Sequence, residues 1–260
     1  MAESSSVQSL ERAFDLLEKL CRSRNGMTIG TLSAETGLHK STVHRLLATM
    51  CTRGYVQRDA ETSVYRAGMR LCELSSYIVE NMDVIERARA PLERLGHETG
   101  ETVHLVLQEE RDIVYIHKVE SVSGAIRMFS RIGMRRPLYC TGVGKAILAT
   151  WPDEEARALW RASDVRPWTP YTIVDEAAFF QELVQVRRLG YAMDNEENEL
   201  GVRCIAAAIP DYRGRASYAI SVSAPLTRMS DERIAALRVP LLETRDEIAE
   251  AIGGGMYGKR

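Results

Sequence analysis

Residues 28–68 run without interruption through a short apolar-patterned segment, a glycine, a second patterned segment and two alternating stretches joined by polar residues. Few folds accept that order. Thr28 is placed to cap a helix whose Ile29, Leu32 and Ala34 face inward, and Gly37 supplies the left-handed residue that reverses the chain. A second helix starts near His39, with Val43, Leu46, Leu47 and Met50 at i, i+3, i+4 and i+7. Gly54 ends it, residues 55–58 and 63–66 alternate as strands, and residues 59–62 make the turn between them. Upstream, the spacing of Val7, Leu10, Phe14, Leu17 and Cys21 predicts a further helix whose apolar face closes a three-helix core. Together these elements predict a winged helix-turn-helix over residues 1–68.

The core stripe of the second helix leaves Lys40, Ser41, Thr42, His44 and Arg45 facing outward near its first turns. Polar and basic side chains at that place reach base edges and adjacent phosphates in a major groove, so these five are the expected reading residues. Arg53, Arg58, Tyr65 and Arg66 are the expected clamps on the phosphate backbone. Between residues 38 and 70 six basic side chains face two acidic ones, a local charge of +4 on a chain whose formal net charge is −2. A local excess of this kind is the electrostatic footprint of a duplex contact. Two such helices in a symmetric dimer would read a palindromic double-stranded DNA operator. Helix-turn-helix geometry taken alone also serves in protein-docking modules.

About 190 of the 260 residues lie beyond this unit, enough for a second core. Five cysteines, at 21, 51, 72, 140 and 204, form no CxxC pair and are odd in number, which suits a reducing compartment. The first six residues carry no basic start, and no apolar run of signal-peptide or membrane-span length follows; a cytoplasmic location away from membranes is expected.

Leu71, Leu74, Ile78 and Met82 continue a helical stripe that predicts a linker helix over residues 69–82. The second domain then occupies residues 83–260. It opens with a helix capped at Asp83, carrying Ile85, Ala88, Leu92 and Leu95 and kinked at Pro91. Strands follow at 102–108 and 113–119 and near 126–130, helices at 142–150, 154–162 and 175–189, strands at 204–209 and 217–223, and a last helix from Ser230 to about residue 252. This order predicts an α+β domain, an antiparallel sheet wrapped by helices.

No P-loop, no GxGxxG after a strand, no HExxH and no GxSxG is present, so the domain reads as a receiver of a small molecule rather than an enzyme. Thr141 caps a helix with Gly142 and Gly144 in its first turn, which leaves backbone N–H groups open to a carboxylate. A tight junction that needs glycine only for packing reads equally well. Ser221 and Ser223 share one face of a buried strand, and their hydroxyls need partners. Residues 194–199 form an acidic loop that leads to Cys204; it is either a solvated charge run or the rim of a pocket collecting Gly142, Asp194, Cys204, Ser221 and Ser223.

The runs GLHKSTVHRLL at 37–47, PLYCTGVGKAILA at 137–149 and DNEENELGVRCIAA at 194–207 make the chain resemble the IclR family of bacterial transcriptional regulators from residue 7 to 252. The resemblance implies a winged helix joined by a linker helix to a GAF-like effector-binding domain. It implies a homodimer formed largely through the DNA-binding part, often doubled into a tetramer as a dimer of dimers. It also implies that a small organic acid is held by the positions matching Met128, Gly142, Val143, Asp194, Val202, Cys204, Ser221 and Ser223. The chain departs from the family at Ala208, where a proline commonly follows CIAA; its own proline is Pro210. Residues 113–119, 130–139 and 192–202 look most like the branch of repressors that controls sugar-acid breakdown and responds to 2-keto-3-deoxygluconate and related acids. A helix N-terminus favours a carboxylate while Asp194 repels it, and ligand hydroxyls that donate to Asp194 would offset the repulsion. That balance favours a hydroxylated acid over an aromatic one.

The expected protein is therefore a regulator, read as a repressor, with no cofactor other than its carboxylate effector and no metal. Three other readings stand beside it: a sensor of an aromatic acid, a zinc sensor using Cys140, Cys204 and Asp194, and an enzyme pairing Cys140 or Cys204 with His104 or His117.

Overall fold

The computed structural model describes residues 7–80, 83–121 and 129–253. The chain divides into two compact units, Met1–Asn81 and Met82–Arg260.

In the first unit, helices α1 (Gln8–Arg22), α2 (Ile29–Thr36) and α3 (Lys40–Thr52) precede the hairpin β1 (Val56–Arg58) and β2 (Tyr65–Ala67), and α4 (Arg70–Glu80) follows. Thr28 Oγ1 accepts the Thr31 N–H at 3.2 Å and so starts α2, which stops at Gly37 with φ 69°. His39 Nδ1 accepts the Ser41 N–H at 3.4 Å and starts α3. The wing turn is longer than the sequence pattern predicts. Asp59 accepts the Glu61 and Thr62 N–H groups at 3.0 and 2.9 Å, Ser63 adopts φ 56°, and the second strand begins only at Tyr65. Met27 pairs with Tyr65 and adds one bridge to the hairpin.

Leu16, Leu20, Leu32, Val43, Leu47, Met50, Val56 and Tyr65 form the core of this unit. Two expectations fail here. The α1 stripe read as inward lies outward at Val7, Leu10, Phe14 and Cys21; Leu16 and Leu20 are the buried residues, with Leu17 at the edge. A second apolar row one residue out of step produces the same spacing, so periodicity alone could not choose between them. Tyr65, expected to clamp DNA backbone, is 4 % exposed and packs in the core, where Arg58 lies 5.9 Å over its ring.

The second unit opens with α5 (Asp83–Thr99), which runs through Pro91, and continues with β3 (Thr102–Glu109), β4 (Asp112–Val119) and β5 (Arg135–Pro137). Helices α6 (Gly142–Ala149), α7 (Asp153–Ala162) and α8 (Glu176–Leu189) follow, then β6 (Ala192–Asn195), β7 (Val202–Pro210), β8 (Ala216–Pro225) and α9 (Asp231–Ala251). The six strands are all antiparallel, in the order β5-β4-β3-β8-β7-β6. Two three-stranded meanders thus join at their inner edges, where β3 pairs with β8. Of the strand expected near 126–130, residues 126–128 lie outside the described residues, and Phe129 and Ser130 are not in a strand; β5 forms the edge.

Alternation divides the sheet between two helical layers. Ile205, Ala207, Ile209, Ile220, Val222 and Ala224 pack with residues of α5 and α9. Ala206, Ala208 and Ala219 pack on the other side with Ile147, Trp160, Phe179 and Leu183 of α6, α7 and α8. Ala208 keeps ladder pairing with Ala219, and the register shifts only at Ile209/Pro210, so β7 stays regular where the family's proline would stand.

Candidate functional site

On the winged helix, Lys40, Ser41, His44 and Arg45 are exposed on α3, and Thr42 is half-buried. Arg53, Arg58 and Arg66 are exposed around the hairpin, and Arg58 donates to Ser63 Oγ at 3.2 Å. The surface therefore keeps its basic residues free of the core while Val43, Leu47 and Met50 anchor the helix beneath them. Such an arrangement offers guanidinium and hydroxyl groups to a groove and cations to its phosphates.

In the second unit, strand register brings distant residues into rows. Asp194 on β6 stands opposite Cys204 on β7, and Cys204 opposite Ser223 on β8. Ala206 on β7 stands opposite Ser221 on β8, and Ser221 opposite His104 on β3. Both rows lie on the α6 face. They form the floor of a cavity of about 30 Å³, whose wall includes Val143, Asp194, Val202, Cys204, Ser221 and Ser223. Among the expected effector residues, Met128 lies outside the described residues, and Gly142 sits behind the wall, where a Cβ would come 2.9 Å from Cys204 Sγ.

Several wall residues were not singled out from the sequence as ligand-facing: His104, Tyr115, Ser130, Met134, Arg136, Thr141, Asn198 and Glu199. Thr141 reads from sequence as a cap, and its Oγ1 accepts the Gly144 N–H at 3.1 Å; Asn198 and Glu199 fall in the acidic loop read as a pocket rim. His104 was considered only as a dyad partner. Its Nε2 is 2.7 Å from Ser130 Oγ, its Nδ1 is 3.3 and 3.4 Å from Ser221 and Ser223 Oγ, and its ring meets Tyr115 edge-on at 5.0 Å. Burial, and then the Lys118 charge, push its pKa down to about 3, so the imidazole is neutral and one nitrogen accepts.

Asp194 is 6 % exposed, and its Oδ1 accepts the Glu197 N–H at 2.8 Å and the Asn198 N–H at 3.3 Å. Burial raises its pKa from 3.8 to about 7, with Glu197 adding to the rise and Lys145 opposing it. Near neutrality the carboxyl is therefore divided between its charged and neutral forms, and its repulsion of an incoming anion is correspondingly weaker than the sequence suggests. Burial also raises the thiols of Cys204 and Cys140, which leaves neither as a ready nucleophile. Among the described residues no three His, Cys, Asp or Glu side chains converge as a metal-ligating set.

The raised Asp194 carboxyl holds in the folded state a proton that the unfolded chain releases. Its stabilising contribution is complete below the unfolded value and is lost as pH rises through about 7. His104 acts in the opposite sense, its contribution still growing by a few tenths of a kcal/mol as pH rises from 6.5. Between pH 6.5 and 8 stability should thus fall by a few tenths of a kcal/mol in the native chain and rise by about as much in Asp194→Asn, a difference on the order of 1 kcal/mol. Urea unfolding at those two pH values checks this, and equal slopes in both proteins would assign the titration elsewhere.

A winged helix-turn-helix followed by a helix-covered antiparallel sheet with a polar cavity defines a DNA-binding transcriptional regulator with a sensory domain. Residues 9–60 match the IclR helix-turn-helix domain, and residues 76–250 match the bacterial transcriptional regulator IclR C-terminal domain. The chain belongs to the IclR family. It is similar to the HTH-type transcriptional regulator XynR of Escherichia coli, with 36 % identity over 95 % of this chain and 98 % of that one. Similarity to the HTH-type transcriptional regulator KdgR of Escherichia coli is 39 % identity over 88 % of this chain and 86 % of the other. The crystal structure of Thermotoga maritima IclR superposes with a TM-score of 0.82 at 31 % identity, covering 95 % of this chain and 99 % of that one.

Proposed function

We propose that this regulator is a cytoplasmic, homo-oligomeric repressor whose affinity for a palindromic operator is set by a small hydroxylated carboxylic acid, a sugar acid or a close relative, bound at the cavity. The observation that carries the reading is the cluster of hydroxyl and imidazole groups of His104, Ser221, Ser223 and Ser130 in the cavity wall beside the Asp194 carboxyl. Buried hydroxyls of this kind have hydrogen-bonding capacity to give a polyhydroxy ligand, whereas an aromatic acid would leave it unused. The likeness to KdgR and the sugar-acid branch supports the same class. A cavity of about 30 Å³ has room for one or two waters, so an acid enters only by displacing the walls. Binding that selects a displaced arrangement is what a switch requires. Homo-oligomer formation is supported by the exposed Leu10 and Phe14 of α1 and Val7 at its cap, an apolar row left open among the described residues of its own unit.

The test is a thermal-shift screen of the purified chain against 2-keto-3-deoxygluconate, D-gluconate, benzoate and zinc, followed by anisotropy titration of an operator selected from a random duplex pool. A stabilising sugar acid is expected to shift operator affinity by about 5- to 150-fold. Arg45→Ala is expected to weaken operator binding by ~1–3 kcal/mol without changing the acid's thermal shift. A shift from benzoate or zinc alone would replace the sugar-acid reading, and a bound acid that leaves operator affinity unchanged would remove the regulatory one.

A further inference from the structure

Arg136 is the one Lys or Arg among the described residues that line the cavity. It stands on β5, directly opposite Ile113 of β4, and lines the cavity. Its neighbour Arg135 pairs with Glu109 and, at 3.6 Å, with Asp112. Lys145, the nearby buried ammonium, is held by Glu197 and by Glu182 at 3.2 Å. Lys118 pairs with Glu120 at 2.9 Å and donates to the Ser130 carbonyl at 2.8 Å. Among the described residues Arg136 has no carboxylate within ion-pair distance. Its Nη1 donates to the Arg135 carbonyl at 3.0 Å, and its Nε is buried with no hydrogen-bond partner.

What holds the guanidinium is aromatic rather than anionic. Its carbon lies 5.3 Å from the Trp168 ring centre, and Arg166 lies over the same ring at 5.3 Å. Two cations share one quadrupole, so the ring orients Arg136 without neutralising it. A buried guanidinium donor left unsatisfied is costly, and a planar carboxylate is the group that satisfies it through two parallel bonds. The cavity holds a second buried atom without a partner, the Asn198 Oδ1 acceptor, which needs a hydroxyl or amine donor. One guanidinium with a free Nε–H and no carboxylate partner, and one unpaired acceptor, describe a ligand with one carboxylate and a hydroxyl.

We propose that Arg136 receives the carboxylate of the effector and Asn198 Oδ1 one of its hydroxyls. The Thr141 cap occupies the Gly144 N–H alone, so Arg136 adds a side-chain cation to the helix N-terminus rather than replacing it. This assignment rests on the effector-cavity reading and deepens it by naming the residue that selects acids over neutral sugars.

The experiment is calorimetric titration of the full chain and of Arg136→Leu and Arg136→Lys with 2-keto-3-deoxygluconate, D-gluconate, D-glycerate and pyruvate, and with the primary amide of whichever acid binds. The native chain should prefer acid to amide by about 10- to 100-fold. In Arg136→Leu that preference should collapse to within about 3-fold, the acid losing far more affinity than the amide. Ligand-free melting temperatures report whether each variant is folded. Should Arg136→Leu not fold, Arg136→Lys carries the test, with an expected loss of about 10-fold for the acid alone. An acid preference that survives in a folded variant overturns the assignment and leaves the effector cavity standing. No binding of any acid to the native chain overturns both.

Discussion

Gly144→Ala is expected to destabilise the second unit by ~3 kcal/mol or more, although alanine is the better helix former by about 1 kcal/mol. A Cβ built on Gly144 would lie 2.1 Å from the Leu138 carbonyl oxygen, 2.5 Å from its Cα and 2.6 Å from its carbonyl carbon. All three are backbone atoms of the turn Leu138–Cys140, and Leu138 is fully buried, so no side chain can swing aside. Relief requires moving α6 off the turn, which breaks the contacts of Ile147 and Leu148 with the sheet layer. Gly30→Ala is the matched control. Gly30 is also helical, but the nearest atom to its Cβ would be Thr28 Oγ1 at 3.6 Å. All three tryptophans, Trp151, Trp160 and Trp168, belong to the second unit, so their fluorescence in urea reports that unit alone. The Gly144 variant should show a clearly lowered fluorescence midpoint, and the Gly30 variant, followed by far-ultraviolet circular dichroism because its unit holds no tryptophan, an unchanged one. A Gly144 midpoint within about 0.5 kcal/mol of the native chain would mean that the junction is open enough to accept a methyl group.

The same junction shows what the sequence could and could not disclose. Thr141 and its two glycines marked a helix start, but packing and ligand contact were equally readable there; both glycines turn out to abut other chain segments, Gly144 at Leu138 and Gly142 at Cys204. The helices and most strands were legible because their apolar periods repeat over two or more turns. Strand β6 was missed, since Ala192–Asn195 is four residues long and runs into a charged stretch that resembles solvent. Without it, Asp194 reads as a loop residue rather than the end of a row through Cys204 and Ser223. His104 and Arg136 escaped for a related reason. Their roles depend on β3 pairing with β8 and β5 with β4, contacts between residues 117 positions apart in the first case, which local pattern does not encode. The long motif runs at 37–47, 137–149 and 194–207 pointed to the family, while the strand register brings the cavity residues together.

Lys145→Met should cost ~3–5 kcal/mol, and the loss should be larger at pH 8 than at pH 5. Lys145 is 1 % exposed, and its ammonium pairs with Glu197, which is 5 % exposed, and with Glu182. Burial acting alone would lower its pKa, but Glu197 and Glu182 more than reverse that, and the net direction is upward: the lysine stays charged. Methionine fills the space but leaves Glu197 without its cation, with Oε2 already lacking a partner. In the variant Glu197 escapes by taking a proton. Its folded pKa then lies above the unfolded value, so folding is favoured at low pH and the deficit grows as pH rises. Replacing both members, Lys145→Met with Glu197→Leu, should recover at least half of the loss, because the buried charge leaves with its partner. Urea unfolding of the single and double variants at pH 5 and 8 separates the cases, and a single variant whose deficit ignores pH would show that Glu197 is not the group left stranded. The consequence reaches the cavity. Glu197 donates its N–H to Asp194 at 2.8 Å, and its carbonyl accepts from Thr172 Oγ1 at 2.6 Å, so the ion pair fixes α6 to the segment that holds the Asp194 carboxyl in place. A stabilising pair alone could be exchanged for apolar side chains at little cost in stability. The double variant, stable but with the ion-pair tether gone, is therefore expected to fold and yet bind the proposed acid effector more weakly.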